Sequence, residues 1–231
     1  METNRYIIRK YRPEDREAVR NIFADASFYG APIEGDRELA ADFTNYYTDR
    51  EPESAFVAEM DGRVIGFLLG CLDTERKERI CKNELARPHF YKALRRGYYF
   101  QFKTFINLIR QTWGRVQLFS LRDIMGGEVQ KLLKKVKAIT TEYPAHLHIF
   151  IGDPSLRGKG IGKALIENYF AYLREHGISG VHLGTTSHNK QAMPLYLRCG
   201  FEILLKIRYP YADHLVPDPP VYSFLLARKL N

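Results

Sequence analysis

His146 and His148 stand two residues apart in the apolar run AHLHIFI, and a glycine-rich basic turn, RGKGIGK, follows from Arg157. Residues i and i+2 of a strand point to one face, so the two imidazoles share a face while Leu147 and Ile149 share the other. An imidazole titrates near pH 6.5 and can take a proton at neutral pH, directly or through shared water. Arg157, Gly160 and Gly162 form R-x-x-G-x-G where strand gives way to helix. Glycine lets the backbone approach a ligand without a Cβ in the way. A helix N-terminus presents unpaired N–H groups and the positive end of its dipole. Arg157, Lys159 and Lys163 add charge, so the turn suits an anion, with a pyrophosphate as the natural guest.

The elements around these residues can be read from periodicity. Residues 6–10 and 54–60 read as strands, Asp61-Gly62 as a hairpin turn and 64–72 as the returning strand. Pro13, followed by Glu14, Asp15 and Glu17, opens a helix with acids placed for its dipole. A second helix is expected over about 37–47, after a loop at 28–36. Residues 146–151 read as a strand, 159–175 as a helix, 181–184 as a strand and 189–198 as a short helix. Strands at 201–208 and 221–227 close the chain around a proline-rich loop. Strands and helices in this order predict an α/β sandwich with a mixed sheet.

Two nucleotide-binding patterns fail on this turn. A dinucleotide fingerprint starting at Gly158 and Gly160 needs a third glycine where Lys163 stands, before Ala164, and a P-loop needs Gly-Lys-Ser/Thr after four intervening residues. LRGKGIGKAL after a strand instead resembles the acyl-CoA-binding motif of the GNAT acyltransferase superfamily, Q/R-x-x-G-x-G/A. A second segment, NKQAMPLYLRCGF, is similar to the later N-x-x-A-x-x-x-Y-x-x-x-G-F element through Asn189, Ala192, Tyr196, Gly200 and Phe201. The resemblance covers 6–227. It implies an α/β (α+β) fold with a mixed, mostly antiparallel central sheet flanked by helices and splayed between the fourth and fifth strands.

The resemblance also implies roles. Backbone N–H groups from Arg157 through Gly158, Lys159, Gly160, Ile161 and Gly162 to Lys163 would hold the pyrophosphate of acetyl-CoA, a cosubstrate needing no metal. The edge at Phe150, Ile151 and Gly152 would pair with the pantetheine arm as an added strand, and Asn189 would lie near that arm or the acceptor amine. AHLHIFIGD followed by Arg157 is similar to the arylalkylamine N-acetyltransferases, in which a His-x-His pair is the proton path. His146 is thereby the candidate base and His148 its partner. Tyr196 is the candidate acid for the departing thiolate. The competing readings are a buried structural histidine pair and a core tyrosine. A Cys199 nucleophile is conceivable, but nothing orients it and direct transfer needs no covalent step. The acceptor walls would include Phe28, Tyr29, Tyr209 and Tyr222, with Asp213 or Glu34 to attract a cation.

Composition sets the outer bounds. The 231 residues are 45% hydrophobic and 27% charged, as expected of a globular chain with a substantial core. No apolar run reaches the about 18 residues of a membrane span. The charged N-terminus lacks a signal-peptide core, and Cys71, Cys81 and Cys199 have no metal-ligand spacing, so a cytoplasmic protein with reduced thiols is expected. Of the net charge of +8, residues 76–140 carry sixteen Lys/Arg against four acids, a balance of +12 that leaves −4 elsewhere. That block reads as a helical insertion within a single domain over 1–231. A lid or dimer element over the acceptor site is the favoured role, ahead of a surface for an acidic partner. Nucleic-acid and membrane binding lack a supporting motif. The expected function is acetyl transfer from acetyl-CoA to an amine of a small molecule or peptide. The alternatives are a non-catalytic acyl-CoA- or nucleic-acid-binding module on the same fold, or transfer of a longer acyl chain.

Overall fold

A computed structural model describes residues 6–25, 27–28, 31–32, 37–97, 127–208 and 218–230. Seven strands form its main sheet: β1 (Ile7–Lys10), β2 (Ala55–Met60), β3 (Arg63–Cys71), β4 (Ala145–Ile151), β5 (Gly180–Thr186), β6 (Glu202–Arg208) and β7 (Tyr222–Lys229). They lie in the order β1-β2-β3-β4-β5-β7-β6, and every neighbouring pair is antiparallel except β4 with β5. Asp61 and Gly62 both take positive φ, 51° and 73°, in the two-residue turn that joins β2 to β3.

Two layers of helix cover the sheet. On one face lie α1 (Arg16–Asp25), α2 (Arg37–Ala41) and α3 (Asn45–Asp49). Val19 and Phe23 of α1 and Tyr46 and Tyr47 of α3 pack with Val57, Phe67 and Leu69 of the sheet. Then come α4 (Thr74–Ile80), α5 (Ala86–Arg95) and α6 (Glu128–Glu142), in the part of the chain expected to be a helical insertion. On the other face α7 (Ile161–Glu175) buries Leu165, Ile166, Tyr169 and Leu173 against Ala145, Leu147, Val181 and Leu183. Each such fully buried side chain contributes about 1.5–3 kcal/mol. Helix α8 (Ala192–Arg198) packs Tyr196 and Leu195 onto the same cluster.

Several boundaries differ from the sequence reading for local reasons. The helix expected over 37–47 breaks at a 3-10 turn, Asp42–Thr44, where the Thr44 hydroxyl donates to the Ala41 carbonyl at 2.8 Å. Helix α7 starts at Ile161 because Gly160 holds φ at +87°. Helix α8 starts at Ala192 because Asn189 is tied into a turn, its N–H on the Thr186 carbonyl at 3.1 Å. Within the expected 28–36 loop, Ser27–Phe28 pairs with Ala31–Pro32.

Candidate active site

The site is set by where β4 stops pairing. Against β3 its rungs run from Ile151 to His146, but against β5 only Ala145↔Val181 and His146↔His182 are made. From Leu147 to Ile151 the β5 side of β4 is an open edge, so the two strands fork. A buried tyrosine fixes β4 and β3 at the mouth of the fork. The Tyr169 hydroxyl donates toward the carbonyls of Cys71, at 2.9 Å, and His146, at 3.1 Å. Gly70 makes this possible, since a Cβ there would lie 2.3 Å from Tyr169 Cε2.

The glycine turn follows the fork. Asp153 caps the short turn Pro154–Leu156 by accepting from the Ser155 N–H at 2.7 Å. Gly158 and Gly160 both take left-handed φ, +79° and +87°, and a Cβ on Gly158 would point into open space. Gly160 is the N-cap of α7 and contributes no capping side chain. The N–H groups at the start of α7 therefore face outward without intrahelical partners. Arg157 differs from expectation in one respect: its own N–H donates to the Pro154 carbonyl at 3.1 Å, so the cradle of free N–H groups begins at Gly158. Arg157, Lys159 and Lys163 are exposed beside it. At Gly162 a Cβ would crowd Leu195 Cδ2 at 2.9 Å, so the Leu195 side chain would have to shift.

His146 and His148 point to the α1–α3 face, opposite Leu147 and Ile149. Their rings meet edge to face at 4.4 Å. His148 also meets Phe43 at 4.7 Å and Tyr47 at 5.7 Å, both edge to face, and His146 stacks on His182 at 4.9 Å. His182 Nδ1 is fixed by the Tyr143 carbonyl at 2.6 Å. Nδ1 of His146, Nε2 of His148 and the Tyr47 hydroxyl are shut off from solvent and have no hydrogen-bond partner among the described residues. Three buried polar atoms without partners in one cluster mark a place built to meet something else.

The electrostatics correct the sequence reading of these imidazoles. Burial, followed by the nearby His148, His182 and Lys77, pushes His146 well below its ordinary value. Burial, then Lys77 and His182, pushes His148 down to about 3. Neither ring has the value near 6.5 expected of it; both are neutral at pH 7. A neutral imidazole carries one N–H and one acceptor nitrogen, so the pair can hand a proton along without storing it.

The other expected residues are placed as follows. Tyr196 is 6% exposed, beside Phe201 on the α7 face, and burial raises its phenol well above the ordinary value. It keeps its proton at neutral pH, so its hydroxyl can serve as a donor. The Phe150 side chain is in the core, 5.3 Å from Phe67 and 5.2 Å from Phe23, so its backbone alone reaches the open edge. Gly152 donates its N–H to the Ile65 carbonyl at 2.9 Å. Asn189 is exposed at the end of β5. The Tyr222 ring lies under Lys206 Nζ at 4.1 Å. Phe28 falls in a described strand, but its side chain, like Tyr29, Glu34, Tyr209 and Asp213, lies outside the described residues. Cys199 is buried and its thiol raised by burial, which fits packing.

Sequence reasoning missed His182, Tyr47 and Lys77. His182 alternates with apolar residues in a strand, the same signal that singled out His146, but its partner is 36 residues away and only the parallel register joins them.

Residues 128–201 match the Acetyltransferase (GNAT) family. The chain is 41% identical over 58 residues to an uncharacterised N-acetyltransferase of Methanocaldococcus jannaschii, a stretch that covers 25% of this chain and 26% of that protein. It thus spans about a quarter of the length of that curated relative. The structure superposes on SsHAT with a TM-score of 0.65 and 27% identity, covering 98% of both chains. The fold is also that of yncA from Salmonella typhimurium, solved with its cofactor acetyl-CoA, at a TM-score of 0.54 and 13% identity over 98% of this chain and 94% of that one. The forked sheet and the glycine cradle thus belong to a chain with the fold of GNAT acetyltransferases, whose segment 128–201 matches that family's own sequence pattern.

Proposed function

We propose that the protein transfers an acetyl group from acetyl-CoA to a primary amine of a small molecule or peptide. The fork carries this reading: β4 leaves five residues of edge unpaired and ends at a cradle of N–H groups, and a pantetheine arm with a pyrophosphate needs both. The extended edge from Leu147 to Ile151 would pair with the arm's amides as with an added strand. The N–H groups from Gly158 through Lys163, with Arg157, Lys159 and Lys163, would hold the diphosphate. The solved Salmonella structure with acetyl-CoA, which shares this fold, supports the same ligand.

Transfer would be direct. The acceptor nitrogen forms its bond to the thioester carbonyl carbon as the carbon–sulfur bond breaks. His146 and His148 pass the amine proton onward by exchanging tautomers, since neither can keep it. The proton shed by the amine leaves through the imidazoles to water, while Tyr196 donates a hydrogen bond to the leaving sulfur from the opposite face of the sheet and the thiolate takes its proton from water. We read residues 76–140 as an insertion into one acetyltransferase domain.

Free-thiol release from acetyl-CoA, followed across amines, amino sugars and peptides, tests the function. Tyr196→Phe and His146→Ala should lower turnover at least about tenfold while coenzyme A affinity is kept. Full turnover in both variants overturns the assigned roles, and no thiol release with any amine overturns the reaction.

A further inference from the structure

Lys77 of α4 stands over the Tyr47 ring beside the histidine cluster, without a counter-ion among the described residues. Its ammonium lies 5.5 Å from the centre of the Tyr47 ring, and that ring lies 5.7 Å from His148. It lines a groove of about 720 Å³ between α1–α3 and α4–α5, in which Phe43 also lies, and Phe43 touches His148 at 4.7 Å. The other cations of that groove are matched. Arg16 meets Asp49 at 2.9 Å, Arg20 meets Glu38 at 3.0 Å, and Lys92 meets Asp42 at 2.8 Å. Lys77 has no carboxylate within ion-pair distance among the described residues.

Among the described residues the carboxylates felt at the cluster are Glu51 and Glu78, and neither forms an ion pair with Lys77. Tyr47 is buried with its proton on. Cys71, which pairs with His146 across the β3–β4 ladder, has its thiol pushed up to about 12 by burial and then by Glu51. His182 is lowered by burial and by Lys77, against the opposing hydrogen bonds of the Tyr143 and Ala145 backbone and the smaller pull of Glu78. Glu51, 2% exposed, accepts from the Tyr46 hydroxyl at 2.6 Å, the Ser54 hydroxyl at 2.9 Å and the Leu72 N–H at 2.7 Å. It is a satisfied structural carboxylate, not a spare base. A like charge in a poorly solvated place disfavours a second cation.

We propose that this site admits its acceptor amine as the free base and so selects weakly basic amines, such as peptide α-amines, over strongly basic ones, with Lys77 as the specificity-determining charge. The inference rests on the acetyl-transfer reading above. An α-amine titrates near 7.7–8.0 and a lysine amine near 10.4, so the neutral fractions differ roughly 300-fold near pH 7 and roughly tenfold near pH 9.5. A site that bound the ammonium ion and deprotonated it there would show no such dependence.

The test uses two peptides, one with a free α-amine and no lysine, the other blocked at its N-terminus and carrying one lysine. Acetyl-CoA-dependent thiol release is measured from about pH 7 to 9.5 on the wild type, K77Q and K77E, with coenzyme A affinity by calorimetry as the control for folding. For the lysine peptide, wild-type kcat/KM should climb about tenfold per pH unit below the amine's own value. Near pH 7 the α-amine peptide should be preferred at least about tenfold, and K77E should cut that preference several-fold, with K77Q between them. A flat wild-type profile, or a preference unmoved in K77E, overturns the inference while leaving acetyl transfer standing. Failure to release thiol with either peptide and to bind acetyl-CoA removes the parent reading and this one with it.

Discussion

His146 and His182 face each other across the last rung that joins β4 to β5, and their rings stack at 4.9 Å, 25° from parallel. Beyond that rung the sheet opens, so the proposed imidazole relay would start where strand pairing stops. His182 is held by the Tyr143 carbonyl and in turn supports the His146 ring, which makes it a positioning residue. His182→Ala should lower kcat on the order of 10- to 100-fold with little change in coenzyme A affinity. His182→Asn, whose amide can still donate to Tyr143, should recover part of the loss. Equal turnover in His182→Ala and wild type would show that the stack has no bearing on the relay.

Acidification reads the buried imidazoles independently of catalysis. His148 is held at about 3 and His146 well below its ordinary value, whereas the unfolded chain binds these protons near pH 6.5. The unfolded state therefore binds more protons below that point. The stability contributed by the neutral pair is complete above about pH 6.5 and is lost as the pH falls from there toward 3. Asp15, Asp42 and Asp49, whose values are also lowered, act only below about pH 4. Urea midpoints between about pH 7 and 4.5 should fall in the wild type and fall less in His148→Gln. A wild-type midpoint constant across that window contradicts the neutral buried pair.

The cradle glycines can be tested one at a time. Gly160→Ala forces a Cβ into left-handed φ at about 1–2 kcal/mol, and the added carbon would sit 3.3 Å from the Tyr6 hydroxyl. Thermal unfolding should show a loss of that order, and calorimetry a weaker affinity for coenzyme A. Unchanged affinity in a folded Gly160→Ala would place the diphosphate elsewhere.

The anchor behind the fork makes a separate demand on stability. Tyr169→Phe removes the one hydroxyl proton shared between the Cys71 and His146 carbonyls and should destabilise by about 1–2 kcal/mol. Gly70→Ala drives a methyl group into the Tyr169 ring, so overpacking of about 1–3 kcal/mol is expected. Chemical denaturation measures both, and a Gly70→Ala protein as stable as wild type would mean the ring moves freely.

What the sequence made legible was local. The R-x-x-G-x-G turn announces its own backbone geometry, because Gly158 and Gly160 need left-handed φ and a Cβ at Gly162 would crowd Leu195. The His146/His148 face follows from strand alternation alone. The residues it hid are joined through space. Lys77 lies in the basic block 76–140, read as a helical insertion, and only the packing of α4 over Tyr47 gives its charge a target. The pKa of the imidazoles was misjudged for the same reason, since burial and neighbouring charge belong to the folded arrangement. The acceptor walls were placed on Phe28, Tyr29, Tyr209 and Tyr222, of which only Tyr222 has a described side chain, and that one is covered by Lys206.

Calorimetric titration of the purified protein with acetyl-CoA near pH 7 addresses the central claim most directly. Saturable one-to-one binding is expected, weakened in Gly160→Ala and retained in Tyr196→Phe and His146→Ala. Absence of binding to the wild type, or binding indifferent to Gly160, would contradict a cradle and forked edge that hold the thioester carrier.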